Sequence, residues 1–181
     1  MTDLDSFDAF YRSRRDQVAR SLALTLGDEE LAFDAADEAM SRALERWAEI
    51  RDYANPEGWV YRTGLNWARS WLRRRRRGAV KDRLVATSDR TEDRPVDHDL
   101  LDALDRLPDK QRAVVVLRFY RDWTVEQTAE ALDIAPGTVK SRLNRALARL
   151  HHELGAVEGA SPSSRSSSRP PLGSPSEGSK P

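Results

Sequence analysis

The stretch TVEQTAEALDIAPGTVKSRLNRALARL, residues 124–150, decides the fold. It reads as two short helices joined by a tight turn, the second carrying only positive charge. Thr124-Val125-Glu126-Gln127 has the spacing of a capping box, in which the Thr124 hydroxyl accepts the Gln127 amide and the Gln127 side chain reaches back. Ala129 and Leu132 then face inward. Asp133 stands where the chain must turn, and Asp tolerates the left-handed conformation better than most non-glycine residues. Pro136 suits the first turn of the second helix, where its missing N–H is no loss.

The second helix sorts its residues by face. Val139, Leu143, Ala146, Leu147 and Leu150 recur at helical spacing and form an apolar stripe. Thr138, Ser141, Asn144 and Arg145 lie opposite, and Lys140, Arg142 and Arg149 flank the stripe. No Asp or Glu occurs between Asp133 and Glu153. Such a helix suits the major groove of DNA. Thr138, Ser141 and Arg145 point at base edges, while Lys140, Arg142 and Arg149 are placed for phosphates. The competing reading is an ordinary helical hairpin with a solvated basic face.

Outside this stretch, composition sets limits. A chain of 181 residues, 39% hydrophobic and 33% charged, supports one or two small domains. With no cysteine there is no disulfide, thiolate nucleophile or Cys-based zinc site. His98, His151 and His152 make neither a metal site nor a triad, and no phosphate-cradling glycine loop occurs, so no enzyme and no cofactor is expected. No apolar run reaches the roughly 20 residues of a membrane span, and the acidic start MTDLDSFDAF is unlike a signal peptide. A cytoplasmic protein is expected, without membrane insertion.

Net charge is zero, yet the charges are segregated. Residues 27–57 hold ten acids and three bases; 58–81 hold eight bases and no acid. Residues 82–105 hold eight acids and three bases; 106–153 hold nine bases and six acids. Two basic surfaces separated by acidic segments fit a chain that meets nucleic acid twice and something else besides.

The periodicity predicts an all-α fold: a helical bundle over 1–77, a flexible linker over 78–99, a helix-turn-helix domain over 100–155, and a disordered Ser/Pro-rich tail over 156–181. A first helix over 6–26 turns Phe7, Phe10, Tyr11, Val18 and Leu22 inward and stops at Gly27. Asp28 caps a second helix running towards Trp47 or Ile50, with Leu31, Ala35, Ala39, Ala43, Leu44 and Trp47 inward. Asn55 caps a third, with Pro56 at its first position and a break expected near Gly64. That helix carries Trp59, Trp67 and Trp71, expected as core, and ends in the arginines of 73–77, which are expected to meet phosphates. Tyr53, in a loop, is a candidate for contacting an unstacked base. The 22-residue linker reaches at most roughly 75 Å, beyond two turns of B-DNA at about 34 Å each. Leu100, Leu101, Leu104 and Leu107 then lead to Pro108, and residues 114–119 are expected as a buried helix. Nine Ser, five Pro and three Gly among residues 159–181 cannot build a core.

Two blocks together resemble the extracytoplasmic-function (ECF) sigma factors of the sigma-70 family. The first is Asn55-Pro56-Glu57-Gly58-Trp59-Val60-Tyr61-Arg62, then Asn66-Trp67-Ala68 and Leu72-Arg73-Arg74-Arg75, similar to the family's region 2. The second runs from Leu107-Pro108-Asp109-Lys110-Gln111-Arg112 through Val116-Leu117-Arg118-Phe119 to Gly137-Thr138-Val139-Lys140-Ser141-Arg142-Leu143, similar to region 4. The resemblance covers residues 7–154. It implies a subunit that binds core RNA polymerase, through β′ and β, and directs promoter-specific transcription initiation. The alternative is a free-standing helix-turn-helix regulator or antagonist that acts without polymerase.

Residue by residue, the resemblance implies −35 contacts for Thr138, Lys140, Ser141, Arg142, Asn144, Arg145 and Arg149. It implies −10 contacts for Tyr53, Asn55, Arg62, Asn66, Arg69, Arg73 and Arg74. Core polymerase would dock on the acidic second helix at Asp34, Asp37, Glu38, Met40, Ser41 and Glu45. Promoter DNA and an anti-sigma factor complete the implied partners. The chain departs from the family pattern at four places: Met40-Ser41 stand for Gln-Glu, Ser70 for Asp and Asp133 for Gly, and Trp67 and Trp71 add bulk.

Overall fold

The computed structural model describes residues 2–79 and 98–158, and every regular element among them is a helix. α1 (Asp3–Leu26) begins earlier than its apolar periodicity, because Thr2 and Asp5 form a capping box: the Thr2 hydroxyl accepts the Asp5 N–H at 3.2 Å and the Asp5 carboxylate accepts the Thr2 N–H at 2.9 Å. It ends at Gly27, whose φ of 70° is left-handed and whose N–H donates to the Ala23 carbonyl at 2.8 Å. α2 (Glu29–Glu45) starts on Asp28, whose carboxylate accepts the Leu31 N–H at 2.9 Å. Such a cap contributes about 1 kcal/mol.

α2 does not run on to Trp47. The chain breaks at Arg46 (φ −120°) and resumes as the single turn α3 (Trp47–Ile50). The break swings the Trp47 ring beneath α1, edge-on to Phe7 at 5.4 Å and 4.8 Å from Phe10, with its indole N–H donating to Ser6 Oγ at 3.2 Å. Trp47 thereby takes the inner position, and Leu44 and Tyr11, both expected inward, are left exposed at 46% and 37%.

α4 (Pro56–Ala79) is capped by Asn55, whose Oδ1 accepts the Gly58 N–H at 2.8 Å. The expected break at Gly64 is absent. A Cβ at Gly64 would lie 2.9 Å from the Ala35 carbonyl oxygen and 2.9 Å from Leu22 Cδ1, so this glycine serves helix contact and not a bend. The facing side of α2 is a row of buried alanines, Ala32, Ala35, Ala36, Ala39 and Ala43, which admits the close approach.

The second half comprises α5 (His98–Asp105), α6 (Asp109–Val115), a π-helical turn (Val116–Tyr120), α7 (Val125–Leu132) and α8 (Pro136–Glu158). Buried Arg112 staples α6 to α5, donating to the Asp105 carboxylate at 3.0 Å and to the Asp105 carbonyl at 2.9 Å. The π turn widens the helix, so Val114–Leu117 stay buried while Phe119, expected inside, emerges at 62% exposure. Leu147 is also exposed, since Ala146 and Leu150 fill the seam against Ala103 and Leu107.

The halves do not stand apart. Leu117, Trp123 and Ala131 pack into the same core as Val18, Leu22, Tyr61 and Leu65. α4 extends through residue 79, α5 takes up residues 98 and 99 of the expected linker, and α8 runs through residue 158; residues 80–97 of the linker and 159–181 of the tail lie outside the described residues. None of the described helices is long and apolar enough to cross a membrane.

Candidate nucleic-acid interface and docking surface

The capping box that starts α7 forms as its spacing requires: Thr124 Oγ1 accepts the Gln127 N–H at 3.1 Å, and Gln127 Oε1 accepts the Thr124 N–H at 2.9 Å. Asp133 ends α7 in the left-handed region (φ 55°, ψ 52°), and α8 leaves from Pro136. Val139, Ala146 and Leu150 anchor α8, so Lys140, Ser141, Asn144, Arg145 and Arg149 are exposed, with Thr138 and Arg142 half-buried. Among the described residues none of Lys140, Arg142, Arg145 and Arg149 is held in an ion pair. The Ser141 hydroxyl donates to the Thr138 carbonyl at 3.1 Å, which leaves its lone pairs as acceptors.

A second cationic row runs along α4. Arg62, Asn66, Arg69 and Arg73 recur every three or four residues and so share a face. Asn66, Arg73 and Arg74 are exposed, Arg62 and Arg69 half-buried. Arg73 donates to the Ser70 hydroxyl at 2.8 Å, and because Ser70 is neutral the arginine charge stays uncompensated there. Asn55 is half-committed: its Oδ1 caps the helix, while its buried Nδ2 has no hydrogen-bond partner among the described residues. Tyr53 is half-buried and its hydroxyl donates to Glu49, which also takes Arg46 at 2.7 Å. These two bonds, Tyr53 first, hold the Glu49 carboxyl below its usual range, and the Glu49 bond raises Tyr53 in turn. Trp59, Trp67 and Trp71 pack partly against the core, with Arg46 5.7 Å over Trp59 and Arg75 5.0 Å over Trp71.

On α2, Asp34, Asp37, Ser41 and Glu45 are exposed and Glu38 half-buried. Met40 is a correction to the outward face: at 1% exposure its side chain is buried beneath α1 and does not stand among the exposed acids. It floors a cleft of about 270 Å³ walled by Phe7, Tyr11, Asp37, Ser41 and Leu44. Two of the acids carry their own cations. Arg15 grips Asp37 through Nε and Nη2, at 2.8 and 2.7 Å, and Arg42 holds Glu38 at 2.7 Å. Arg15, Tyr11 and Leu44 are the residues that sequence reasoning missed on this face. Arg15 lies 22 residues upstream of Asp37, where no local spacing rule points.

Between the halves sits a charge cluster that the sequence did not announce. Glu57, in the first turn of α4, contacts Arg121 and lies 3.5 Å from Arg14. Arg121 also donates to Gln17 at 3.1 Å. Burial pushes the Glu57 carboxyl up, and Arg121 and Arg14 pull it back. Beside the cluster Trp123 meets Tyr61 edge-on at 6.2 Å, and Asp133 lies 3.6 Å from Arg62.

Residues 97–150 match the family model described as Sigma-70, region 4. The chain is 36% identical over 157 residues to the RNA polymerase sigma-E factor of Streptomyces coelicolor, covering 85% of this chain and 89% of that protein. It is 35% identical over 155 residues to the ECF RNA polymerase sigma factor SigM of Mycobacterium tuberculosis, covering 84% and 79%. The sigma factor RpoE from Bartonella quintana, solved with the anti-sigma factor NepR, shares the fold: TM-score 0.71 over 83% of this chain and 97% of that one, at 21% identity.

Proposed function

We propose a division of labour among these surfaces, from the premise that the chain belongs to the extracytoplasmic-function (ECF) family of sigma-70 factors. It is an RNA polymerase sigma factor, which binds core polymerase and directs promoter-specific initiation. It works in the cytoplasm, and it is a specificity subunit with no reaction of its own. The −35 element is read by α8. Arg145, Ser141 and Thr138 approach base edges, Asn144 lies beside them, and Lys140, Arg142 and Arg149 anchor phosphates. The −10 element is taken by the α4 row of Arg62, Asn66, Arg69, Arg73 and Arg74, with Tyr53 and Asn55 at its entrance. Core polymerase docks on the α2 face of Asp34, Asp37, Glu38, Ser41 and Glu45. An anti-sigma factor is the further partner that family membership implies.

The observation that supports this most is the pairing of two cation rows with one acidic face. The cations of α8, without an ion pair among the described residues, and the arginines of α4 stand on separate helices, and the acids cluster on α2. A free-standing regulator would account for α8 alone. Run-off transcription with purified core polymerase tests the reading. Promoter-specific transcripts should appear only when this protein is added, and their absence with a competent core enzyme would overturn it.

A further inference from the structure

We infer that Arg15 is a positioning residue of the polymerase-docking face: it holds the Asp37 carboxylate as an internal counter-ion, so that a cation of the partner takes that carboxylate by exchange. The inference rests on the docking role proposed for α2.

The grip runs from α1 to α2. Arg15 engages both oxygens of the Asp37 carboxylate, Nε to Oδ1 at 2.8 Å and Nη2 to Oδ2 at 2.7 Å. Two N–H donors on one carboxylate make the strong form of this contact. The guanidinium is fixed from two other directions as well. Its carbon sits 5.0 Å over the centre of the Phe33 ring, and Nη1 donates to Asp16 at 3.1 Å. The Arg15 side chain is 21% exposed, whereas that of Asp37 is 51% exposed. The cation is thus recessed and held, and the acid it neutralises stands at the surface. Asp37 also walls the cleft that Met40 floors, beside Tyr11, Ser41 and Leu44. A partner that reaches this cleft meets the Asp37 carboxylate with its charge already compensated.

The other acids of the face are held differently. Glu38 pairs with Arg42 at 2.7 Å, an exposed contact four residues along one helix, of a kind that contributes little. Asp34 and Glu45 have no ion pair among the described residues. They attract a cationic partner at a distance, which acts on the rate of encounter. Asp37 differs in kind, because a lysine or arginine of the partner gains there only the difference between its own contact and the one Arg15 gives up. That difference acts on how long the complex lasts. The chain therefore sets its hold on polymerase partly from within α1, through a recessed residue that need not touch the partner.

The test measures association and dissociation of the full chain with purified core polymerase at two salt concentrations. Arg15→Met keeps an unbranched stem over Phe33 and removes the charge. It should slow dissociation by about two- to fivefold, the span set by one exposed ion pair. In an Asp37→Asn background the same substitution should leave dissociation unchanged, because no carboxylate is left to release. Arg12→Met is the charge-matched control: the Arg12 side chain is 78% exposed and pairs with Asp8 at 3.1 Å, three residues before Arg15 on α1. It should speed association at low salt as Arg15→Met does, yet leave dissociation at the parent value. Arg15→Lys keeps the charge without the two-pronged grip, so its dissociation should fall between those of the parent and Arg15→Met. Helical circular dichroism checks that each variant is folded; should Arg15→Met lose helicity, Arg15→Lys decides, and dissociation no slower than the parent's overturns the exchange. It is equally overturned if folded Arg15→Met dissociates as fast as the parent, if it gains as much in the Asp37→Asn background, or if Arg15→Lys and Arg15→Met behave alike. Each of these results can stand beside normal run-off transcription, whereas a parent chain that does not bind core polymerase fails the docking reading itself.

Discussion

Two glycines, 64 and 137, should respond to alanine in opposite ways. At Gly64 the added methyl meets the Ala35 carbonyl oxygen and Leu22 Cδ1, both at 2.9 Å. Leu22 is fully buried and has little room to turn away, and the carbonyl belongs to the backbone of α2. Overpacking of this kind costs about 1–3 kcal/mol. Alanine returns about 1 kcal/mol as a better helix former. The net expectation is a loss of about 1 kcal/mol, with α4 pushed off α2. At Gly137, in the first turn of α8, nothing lies within 4 Å of the added methyl. There the alanine should stabilise by about 0.4–1 kcal/mol, through the unfolded chain. Urea unfolding followed by helical circular dichroism reads both. A second assay, binding to a −35 duplex, separates fold from function. If Gly137 lets the DNA backbone approach α8 closely, Gly137→Ala should stabilise the protein and yet weaken the duplex. A higher unfolding midpoint for Gly64→Ala would refute the tight α2–α4 contact, and a lower one for Gly137→Ala would refute the open surroundings of that residue.

Arg145→Ala should relax preference at particular −35 bases by about 1–3 kcal/mol, whereas Lys140→Ala should weaken all sequences alike and flatten the salt dependence; uniform loss for Arg145→Ala across a duplex library would contradict the face assignment. Asp37→Lys should sharply weaken binding to purified core polymerase and Ser41→Glu should strengthen it, most visibly at low salt. Because Arg15 grips Asp37, helicity of the Asp37→Lys chain is measured alongside, and unchanged core affinity in a folded variant would remove α2 from the docking surface. Burial holds the Tyr61 hydroxyl up at about 12 against an ordinary 10.0. Its contribution is fully present below pH 10 and is lost as pH rises towards 12, by up to about 3 kcal/mol; Tyr61→Phe should flatten that alkaline decline, and an identical pH profile would show that the shift is absent. A chain ending at Gly159 should fold and support transcription in vitro, since the Ser/Pro-rich remainder has few apolar residues to offset an ordering cost of about 1–2 kcal/mol per residue; a large loss of transcript would count against this.

What was legible in the sequence was local. Thr124, Asp28, Asn55, Gly27 and Asp133 act within three or four residues of themselves, and each cap or turn formed where its spacing placed it. The outward face of α8 followed from one period of 3.6 residues. Misreadings came where distant packing overrules local pattern. Gly64 looks like a break until the alanine row of α2, some thirty residues earlier, is laid against it. Leu44 and Tyr11 look apolar and inward until Trp47 takes their place. Met40 looks like a member of a polar docking face because its neighbours are charged, but helical phase puts it on the alanine side. The Glu57 cluster draws on α1, α4 and the chain after the π turn, three segments with no shared spacing, so no pattern along the chain could announce it.

The π turn at Val116–Tyr120 also sets an angle. Arg121 N–H returns to the Val116 carbonyl at 3.1 Å, five residues back instead of four. One extra residue is therefore wound into the helix. An α-helix advances 3.6 residues per turn, so each residue accounts for about 100° of azimuth. Deleting exposed Phe119 or Tyr120 from this turn would spare the buried Val116 and Leu117 and restore an ordinary helix. It would also re-aim all that follows by about a quarter of a revolution, carrying α7 away from α4 and α8 away from its bearing on DNA. The insertion behaves as a phase shifter between the two halves, and length at this point, more than residue identity, is what the chain must keep.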